Sequence, residues 1–317
     1  MSFIPVVFAC DNDYVPLVTT VSLSILEHTE SSIDFYLICP DLSHENQKIL
    51  TSFFNKQKQC RFFIIPINQK DFCQFPVGYH YSYAMYVRFL LPLLLPNLSK
   101  IIYSDVDVIY CDDIRKMYDI DIKGFGLAAP IEEIGAEMLN EWNHKKRKKN
   151  LNISKNHLFF QSGNLVIDLD YWRTYHISDQ LMMITHKQKD ILVAPDLDVL
   201  NIVFANNYYR LPYRYSLCTH RIGYENNNSE MIVALKTPFC IHYAGRQKPW
   251  LKNDVPFAKK WWCYARLSPY YILFLRKYHQ SILCRIKCIL YKIVYKVSWG
   301  KTRYYYKKIY KNHRGIK

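Results

Sequence analysis

Two carboxylates set in an apolar, strand-like run are the first residues with chemistry to offer. In Ile101-Ile102-Tyr103-Ser104-Asp105-Val106-Asp107-Val108-Ile109-Tyr110, Asp105 and Asp107 interrupt an otherwise β-branched and aromatic stretch. If the strand continues through them, its period of two points both side chains the same way. Two ionised carboxylates so placed repel each other and lose hydration, and a divalent cation between them removes both objections. Mg²⁺ or Mn²⁺ takes one or two protein carboxylates and keeps positions open for substrate phosphates. The plainer alternative is a turn at a strand end with one exposed Asp, because a lone D-x-D is common. A second stretch, Phe239-Cys240-Ile241-His242-Tyr243-Ala244-Gly245-Arg246-Gln247-Lys248-Pro249-Trp250, ends an apolar run on a histidine. His242 is a third metal ligand if it meets the D-x-D, and a structural strand-end histidine if it does not. Gly245 lets backbone approach a ligand closely, and Lys248 is a point charge suited to phosphate.

The elements that must position these residues alternate. Apolar runs at 3–10, 35–39, 61–65 and 100–104 read as strands, and residues 14–27, 43–55 and 83–91 read as helices, the second capped by Ser43. Further strands are expected at 125–129, 164–169 and 239–242, and helices at 171–186 and 198–205. Strands alternating with helices imply a mostly parallel α/β sheet, which binds ligands beyond its C-terminal strand ends. Asp11 and Asp13 follow one such end and Asp105 and Asp107 another, so both acidic pairs can face one crevice. The basic run His144-Lys145-Lys146-Arg147-Lys148-Lys149 reads as a solvated, mobile loop; the sharper alternative is a loop that meets substrate phosphates.

The 317 residues are 50% hydrophobic and 22% charged, which excludes a disordered chain and a small disulfide scaffold. No apolar run reaches the roughly 18 residues that span a bilayer, and the N-terminus has no basic, signal-like region. The ten cysteines show no C-x-x-C spacing, and Cys10, Cys39, Cys60 and Cys240 lie in apolar runs, as buried reduced thiols of a cytosolic protein would. Residues 258–317 hold 16 Lys or Arg and no Asp or Glu, so they carry the whole net charge of +15 and leave residues 1–257 near neutral. This division argues against a nucleic-acid binder. The division into a body at 1–257 and a tail at 258–317 follows from the same contrast. Ile282, Leu283, Ile286, Ile289, Leu290, Ile293, Val294 and Val297 form a helical stripe flanked by basic and aromatic residues, including Trp299 and residues 304–306. Such a helix suits an anionic membrane surface; the alternative is packing of the stripe on the body.

Five blocks, in order, resemble glycosyltransferase family 8, the retaining hexosyltransferases. Phe8-Ala9-Cys10-Asp11-Asn12-Asp13-Tyr14 resembles its nucleotide-binding opening, and Tyr86-Val87-Arg88-Phe89 with Ser104-Asp105-Val106-Asp107 its arginine and D-x-D. Phe160-Gln161-Ser162-Gly163 resembles F-N-[AS]-G, Pro195-Asp196-Leu197-Asp198 resembles D-Q-D, and His242-Tyr243-x-Gly245-x-x-Lys248-Pro249-Trp250 resembles the closing H-Y-x-G-x-x-K-P-W. The resemblance covers residues 3–250 and implies a GT-A fold: a Rossmann-like mixed sheet flanked by helices, here with a basic C-terminal helical tail. It implies Mn²⁺ or Mg²⁺ on Asp105, Asp107 and His242, with a UDP-hexose donor as co-substrate. Ala9, Asp11, Asp13 and Tyr14 would bind uridine, Arg88 the sugar or diphosphate, and Gly245 and Lys248 the phosphates. Asp196 and Gln161 would meet the donor sugar, and His80 would lie near the acceptor. The implied activity is transfer of glucose or galactose to lipopolysaccharide or another lipid-linked surface glycan, at the cytoplasmic face of the membrane. Three positions depart from the family: Leu197 replaces the usual Gln, Gln161 the usual Asn, and Asp13 the frequent Asn. Leu197 can neither attack nor hydrogen-bond, which leaves a front-face route or, alternatively, a sugar-nucleotide-binding protein of weak or no activity.

Overall fold

All six residues of β1 (Ile4–Ala9) are buried, so this strand has apolar matter on both faces, as expected at the centre of a parallel sheet. Its alternate side chains feed two different cores. Val6 and Phe8 join Phe35, Leu37 and Ile102 on one face, while Val7 and Ala9 join Ile38, Ile101 and Tyr103 on the other. The protein is described by a computed structural model covering residues 3–67, 83–132, 144–205, 207–223, 228–252 and 254–297. The remaining strands are β2 (Ile33–Ile38), β3 (Cys60–Ile65), β4 (Lys100–Ser104), β5 (Val108–Tyr110), β6 (Leu127–Pro130), β7 (Asn164–Asp168), β8 (Tyr209–Leu211), β9 (Leu217–Cys218) and β10 (Cys240–His242).

They form a seven-stranded sheet in the order β3-β2-β1-β4-β7-β6-β8 and a three-stranded sheet in the order β5-β10-β9. Strands β1 to β4 pair in parallel, whereas β7 runs antiparallel between β4 and β6, so the large sheet is mixed. Helices Val15–His28 and His44–Phe54 cross between the parallel strands, and Ser43 caps the second by accepting from the Asn46 N–H, as its sequence predicts.

The D-x-D does not lie on a continuing strand. The strand β4 ends at Ser104, and β5 begins at Val108 in the other sheet. Asp105 still belongs to the large sheet, since its N–H donates to Gly163 O at 2.7 Å, one step beyond the Ser104–Asn164 pair. Asp107 belongs to the small one, since its carbonyl accepts from Tyr243 N at 3.0 Å. The two acids converge because the chain turns a corner between sheets, not because of strand alternation.

Residues 144–150 also differ from expectation. They form a helix (His144–Asn150) in which Arg147 and Lys148 are buried while Lys146 and Lys149 are exposed. Arg147 is drawn inward by Asp198, which is fully buried on helix Pro195–Val203; Nε and Nη2 both lie 2.5 Å from its Oδ1. The other oxygen of Asp198 accepts from the N–H groups of Val193 and Ala194 at 2.8 and 3.0 Å. Removing one partner of such a pair strands a buried charge. Arg147→Met is therefore expected to lower unfolding stability by about 3 kcal/mol or more, which urea titration checks.

The expected helix at 171–186 is two, Leu169–Thr174 and Ile177–Gln188, separated at His176, whose φ of 51° is left-handed. The strands β8 and β9 and helix Ser229–Lys236 have no counterpart in the sequence reading, the strands being too short to show alternation, whereas helix Ala258–Ala265 opens the expected helical tail. Of the free cysteines, Cys10, Cys39, Cys218 and Cys240 are buried, Cys60 and Cys111 partly so, and Cys263 is exposed. Trp261, Tyr264, Tyr270 and Phe274 join the main core, so residues 258–274 pack on the body. Beyond them, helix Tyr271–Val297 leaves Leu283, Ile286 and Leu290 exposed. Residues 298–317, with Trp299 and the tyrosines at 304–306, lie outside the described residues, as does His80.

Candidate active site

At the corner between the two sheets, Asp105, Asp107 and His242 each present one ligand atom, and these atoms lie within 4.8 Å of one another. The last residue of β10, His242, pairs with Val108 across the small sheet, which brings its ring to the D-x-D. His242 Nε2 is 3.2 Å from Asp107 Oδ1 and 3.7 Å from Asp105 Oδ2. Gly163 makes this approach possible. A Cβ there would sit 2.5 Å from Asp105 Oδ2 and 2.6 Å from His242 Cε1, so no side chain fits between sheet and ligands.

The two carboxylates have different electrostatic surroundings. Asp107 Oδ2 accepts a short hydrogen bond from Lys248 Nζ, which also donates to Tyr243 O at 2.8 Å. Burial alone would raise the Asp107 pKa, but Lys248, and after it His242, hold it well below the usual carboxylate range. Asp105 receives Arg88 Nη2 and the Tyr103 hydroxyl, each at 3.3 Å. Burial outweighs that help and, with the Asp107 charge, raises the Asp105 pKa. Burial opposes charge on His242 and Lys248 too, yet Asp107 prevails and raises both.

The Arg88 guanidinium is buried over the Tyr103 ring and taken up by protein groups. Nη1 donates to Ser162 O at 2.7 Å and pairs with Asp196 at 2.9 Å, while Nη2 holds Asp105. Asp196, in the first turn of helix Pro195–Val203, also accepts from Ser162 Oγ at 3.0 Å. Arg88 thus ties the D-x-D to the D-L-D segment. Leu197 is buried beside it. Gln161, expected at the donor sugar, turns its amide into the protein: Nε2 donates to Ser216 O at 3.0 Å, and Oε1 accepts from Ser216 Oγ at 2.6 Å.

On the other side of the crevice, Ala9 ends β1 and Asp11 accepts from Tyr14 N at 3.2 Å. Burial raises the Asp11 pKa. The loop is pinned by Asn12, whose N–H donates to Asp41 and whose side-chain oxygen accepts from Ser43 N, both at 2.9 Å. Asp13 and Tyr14 are exposed. Burial of part of the Tyr14 ring raises its phenol pKa, and the charges of Lys248 and Asp107 reach it as well, so this loop faces the acidic corner. Gly245 adopts a left-handed φ of 69° that disfavours any side-chain-bearing residue there. At the edge, burial, then Arg221, His242 and Lys248, lower the His220 pKa to about 4, leaving a neutral ring at neutral pH.

Sequence reasoning did not single out Gly163, Ser162, Ser216 or His220. Gly163 and Ser162 lie inside a block that carries the resemblance. Ser216 and His220 lie in short 3-10 turns with no periodic signal.

Two carboxylate oxygens and one imidazole nitrogen, cradled where a Cβ would intrude, fit Mn²⁺ or Mg²⁺ with positions left for phosphate oxygens. A cation must displace the proton that His242 Nε2 shares with Asp107, because a ligating imidazole is unprotonated at the ligating nitrogen. With the His242 pKa raised, Mn²⁺ affinity is expected to climb with pH, by up to about tenfold per unit for each proton released, until the ring's own pKa is passed. Titration of Mn²⁺ by paramagnetic resonance between pH 6 and 8 checks this; a flat profile contradicts it.

A mixed sheet ending in an acid–acid–histidine corner, beside a loop at the end of the first strand, is the arrangement expected of the GT-A fold that the five sequence blocks imply. The chain belongs to Glycosyl transferase family 8, whose sequence profile matches residues 5–254. It is 27% identical over 251 residues to a Haemophilus influenzae protein named as a glycosyltransferase, covering 78% of this chain and 73% of that one. It is 27% identical over 259 residues to the lipopolysaccharide 1,2-glucosyltransferase of Escherichia coli K12, covering 78% and 72%. The fold matches the crystal structure of the galactosyltransferase LgtC in complex with donor and acceptor sugar analogues, with a TM-score of 0.72 at 22% identity, over 84% of this chain and 96% of that one.

Proposed function

We propose that this chain is a retaining, divalent-metal-dependent transferase that moves glucose or galactose from a UDP-sugar to lipopolysaccharide or another lipid-linked surface glycan. The observation that carries the reading is the convergence of Asp105, Asp107 and His242 on one corner. In this reading those three hold Mn²⁺ or Mg²⁺, which when bound supplies positive charge to the diphosphate as UDP departs. Lys248 adds charge at the same leaving group, and the Gly245 turn brings backbone close to it. Ala9, Asp11, Asp13 and Tyr14 receive uridine. Asp196, held by Arg88 and Ser162, faces the donor sugar.

Because Leu197 has no nucleophilic atom, the acceptor hydroxyl enters on the face that UDP leaves. The bond from the acceptor oxygen to the anomeric carbon forms as the bond to the UDP oxygen breaks, and the acceptor proton passes to the departing phosphate. A screen of UDP-sugars for Mn²⁺-dependent UDP release, with and without lipid-linked oligosaccharide, tests the assignment. Release faster with one donor than with the others, and stimulated by acceptor, is expected; no release with any donor contradicts it. Leu197 favours a second reading, a sugar-nucleotide-binding protein without turnover. Calorimetric binding of UDP with Mn²⁺ in the absence of any transfer or hydrolysis would select it.

The acceptor's lipid anchorage would match an anionic membrane surface contacted through residues 258–317, at the cytoplasmic face. Support comes from the absence of acidic residues in that segment and from the exposed Leu283, Ile286 and Leu290. Among the described residues no helix is long and apolar enough to cross a membrane. Because Tyr270 and Phe274 are core residues, the informative truncation removes residues 282–317 and leaves the body intact. It is expected to abolish sedimentation with phosphatidylglycerol vesicles and to spare transfer to a soluble acceptor. Unchanged sedimentation contradicts the membrane role.

A further inference from the structure

We infer that Gln161 and Ser216 form a polarity relay that positions the metal-ligand histidine, and that Gln161 is a positioning residue for His242 rather than a contact to the donor sugar. The inference rests on the metal-binding reading above. It follows from counting donors and acceptors around three buried side chains. Gln161 Nε2 faces the carbonyl of Ser216 at 3.0 Å, and a carbonyl only accepts, so the amide orientation is set with Nε2 there. Oε1 therefore faces the Ser216 hydroxyl at 2.6 Å and can only accept, which commits the single hydroxyl proton to Gln161. Cys218 Sγ, 3.2 Å from the same oxygen, adds a second donor to it.

With its proton spent, Ser216 Oγ offers a lone pair to His242 Nδ1, 3.3 Å away. The Nδ1 position must then carry hydrogen, so that once a cation displaces the Nε2 proton the ring's lone pair is at Nε2, the atom directed at Asp105 and Asp107. The relay thus selects the tautomer and ring orientation that a ligating histidine needs. The extra methylene of Gln over the family's usual Asn supplies the reach to Ser216.

The test measures Mn²⁺ affinity directly, by the paramagnetic resonance of free Mn²⁺, on the full chain at fixed pH for wild type, Gln161→Met, Ser216→Ala and the double variant. Each single variant is expected to weaken Mn²⁺ binding about tenfold or more, the range for partners of metal ligands. The double variant should be little weaker than either single one, because the two act in series. The ratio of kcat/KM for UDP-glucose over UDP-galactose should stay that of wild type in Gln161→Met. Should Ser216→Ala not fold, the near-isosteric Gln161→Met decides alone. Wild-type Mn²⁺ affinity in Gln161→Met, with an altered sugar ratio, would overturn the relay and place Gln161 on the donor. Failure of the wild type itself to bind Mn²⁺ would instead remove the metal-dependent function, and the relay with it, a result distinct from any effect confined to the variants.

Discussion

Replacing Gly163 by alanine is expected to lower kcat/KM at least a hundredfold. The added methyl would lie 2.5 Å from Asp105 Oδ2 and 2.6 Å from His242 Cε1, closer than any real Cβ contact. Neither neighbour is the free end of a flexible chain. Asp105 is held by Arg88 and by its own N–H on Gly163 O, and the His242 ring is held on its far side by Ser216. Relief must come from spreading the two ligands apart, and a displacement of order 1 Å in a catalytic arrangement costs about 10² in rate. The loss should appear as weaker Mn²⁺ binding. Binding of UDP without metal should change little, since the proposed uridine site at Asp11, Asp13 and Tyr14 is built by a different loop. Metal titration and metal-free UDP calorimetry on the same variant separate the two. Near-wild-type Mn²⁺ affinity would refute the steric account.

The largest contrast is expected between Asp105→Asn and Asp107→Asn. On the proposed function both should cut turnover by about 10³ or more, because each would remove a ligand of the proposed metal and with it several kcal/mol of charge stabilisation at the leaving group. Their effects on folding should differ. Asp105 is charged against burial and against the neighbouring acid, and its amide relieves that opposition while Arg88 keeps Asp196 and the Ser162 carbonyl. Asp105→Asn should therefore leave the melting temperature within a few degrees of wild type. Asp107 is the nearer counter-charge to two buried cations: Lys248, and His242, which also lies 3.7 Å from Asp105. Asp107→Asn leaves Lys248 without its paired carboxylate and His242 with only the more distant Asp105, and breaking a buried pair costs about 3–5 kcal/mol.

The pH dependence of that cost has a definite sign. Asp107 has a depressed pKa in the folded protein, so its contribution is full above the unfolded value of about 3.9 and fades as pH falls below it. The stability gap between wild type and Asp107→Asn should be widest near neutrality and narrow below about pH 4. Urea unfolding without metal at pH 7 and at pH 2 measures it. Equal stabilities of the two variants at pH 7 would show that Lys248 and His242 find other partners.

Much of the frame was readable along the chain. The strands of the parallel half, the Ser43 cap and the order of the five blocks are local signals, carried by spacings of two to four residues and by short contiguous motifs. So were the members of the acid–acid–histidine corner, through the D-x-D and the histidine that closes an apolar run. Residues 144–149 show where local reading fails. A run of six basic residues has every sign of a solvated loop, yet Arg147 is buried because Asp198, 51 positions later, sits fully buried where a guanidinium can reach it. Gln161 shows it again, since its amide finds partners in a 3-10 turn 55 positions away.

What the amino-acid order determined by itself is which elements form and which residues have ligating chemistry, because both depend on side-chain type and near-neighbour period. Only the tertiary structure decided that Asp105 and Asp107 converge across a corner between two sheets and that Lys248, 141 positions from Asp107, neutralises one of them and not the other. The charge state of a buried group is set by whichever partners the fold brings within a few ångströms, and that distance is not encoded in the spacing of residues along the chain.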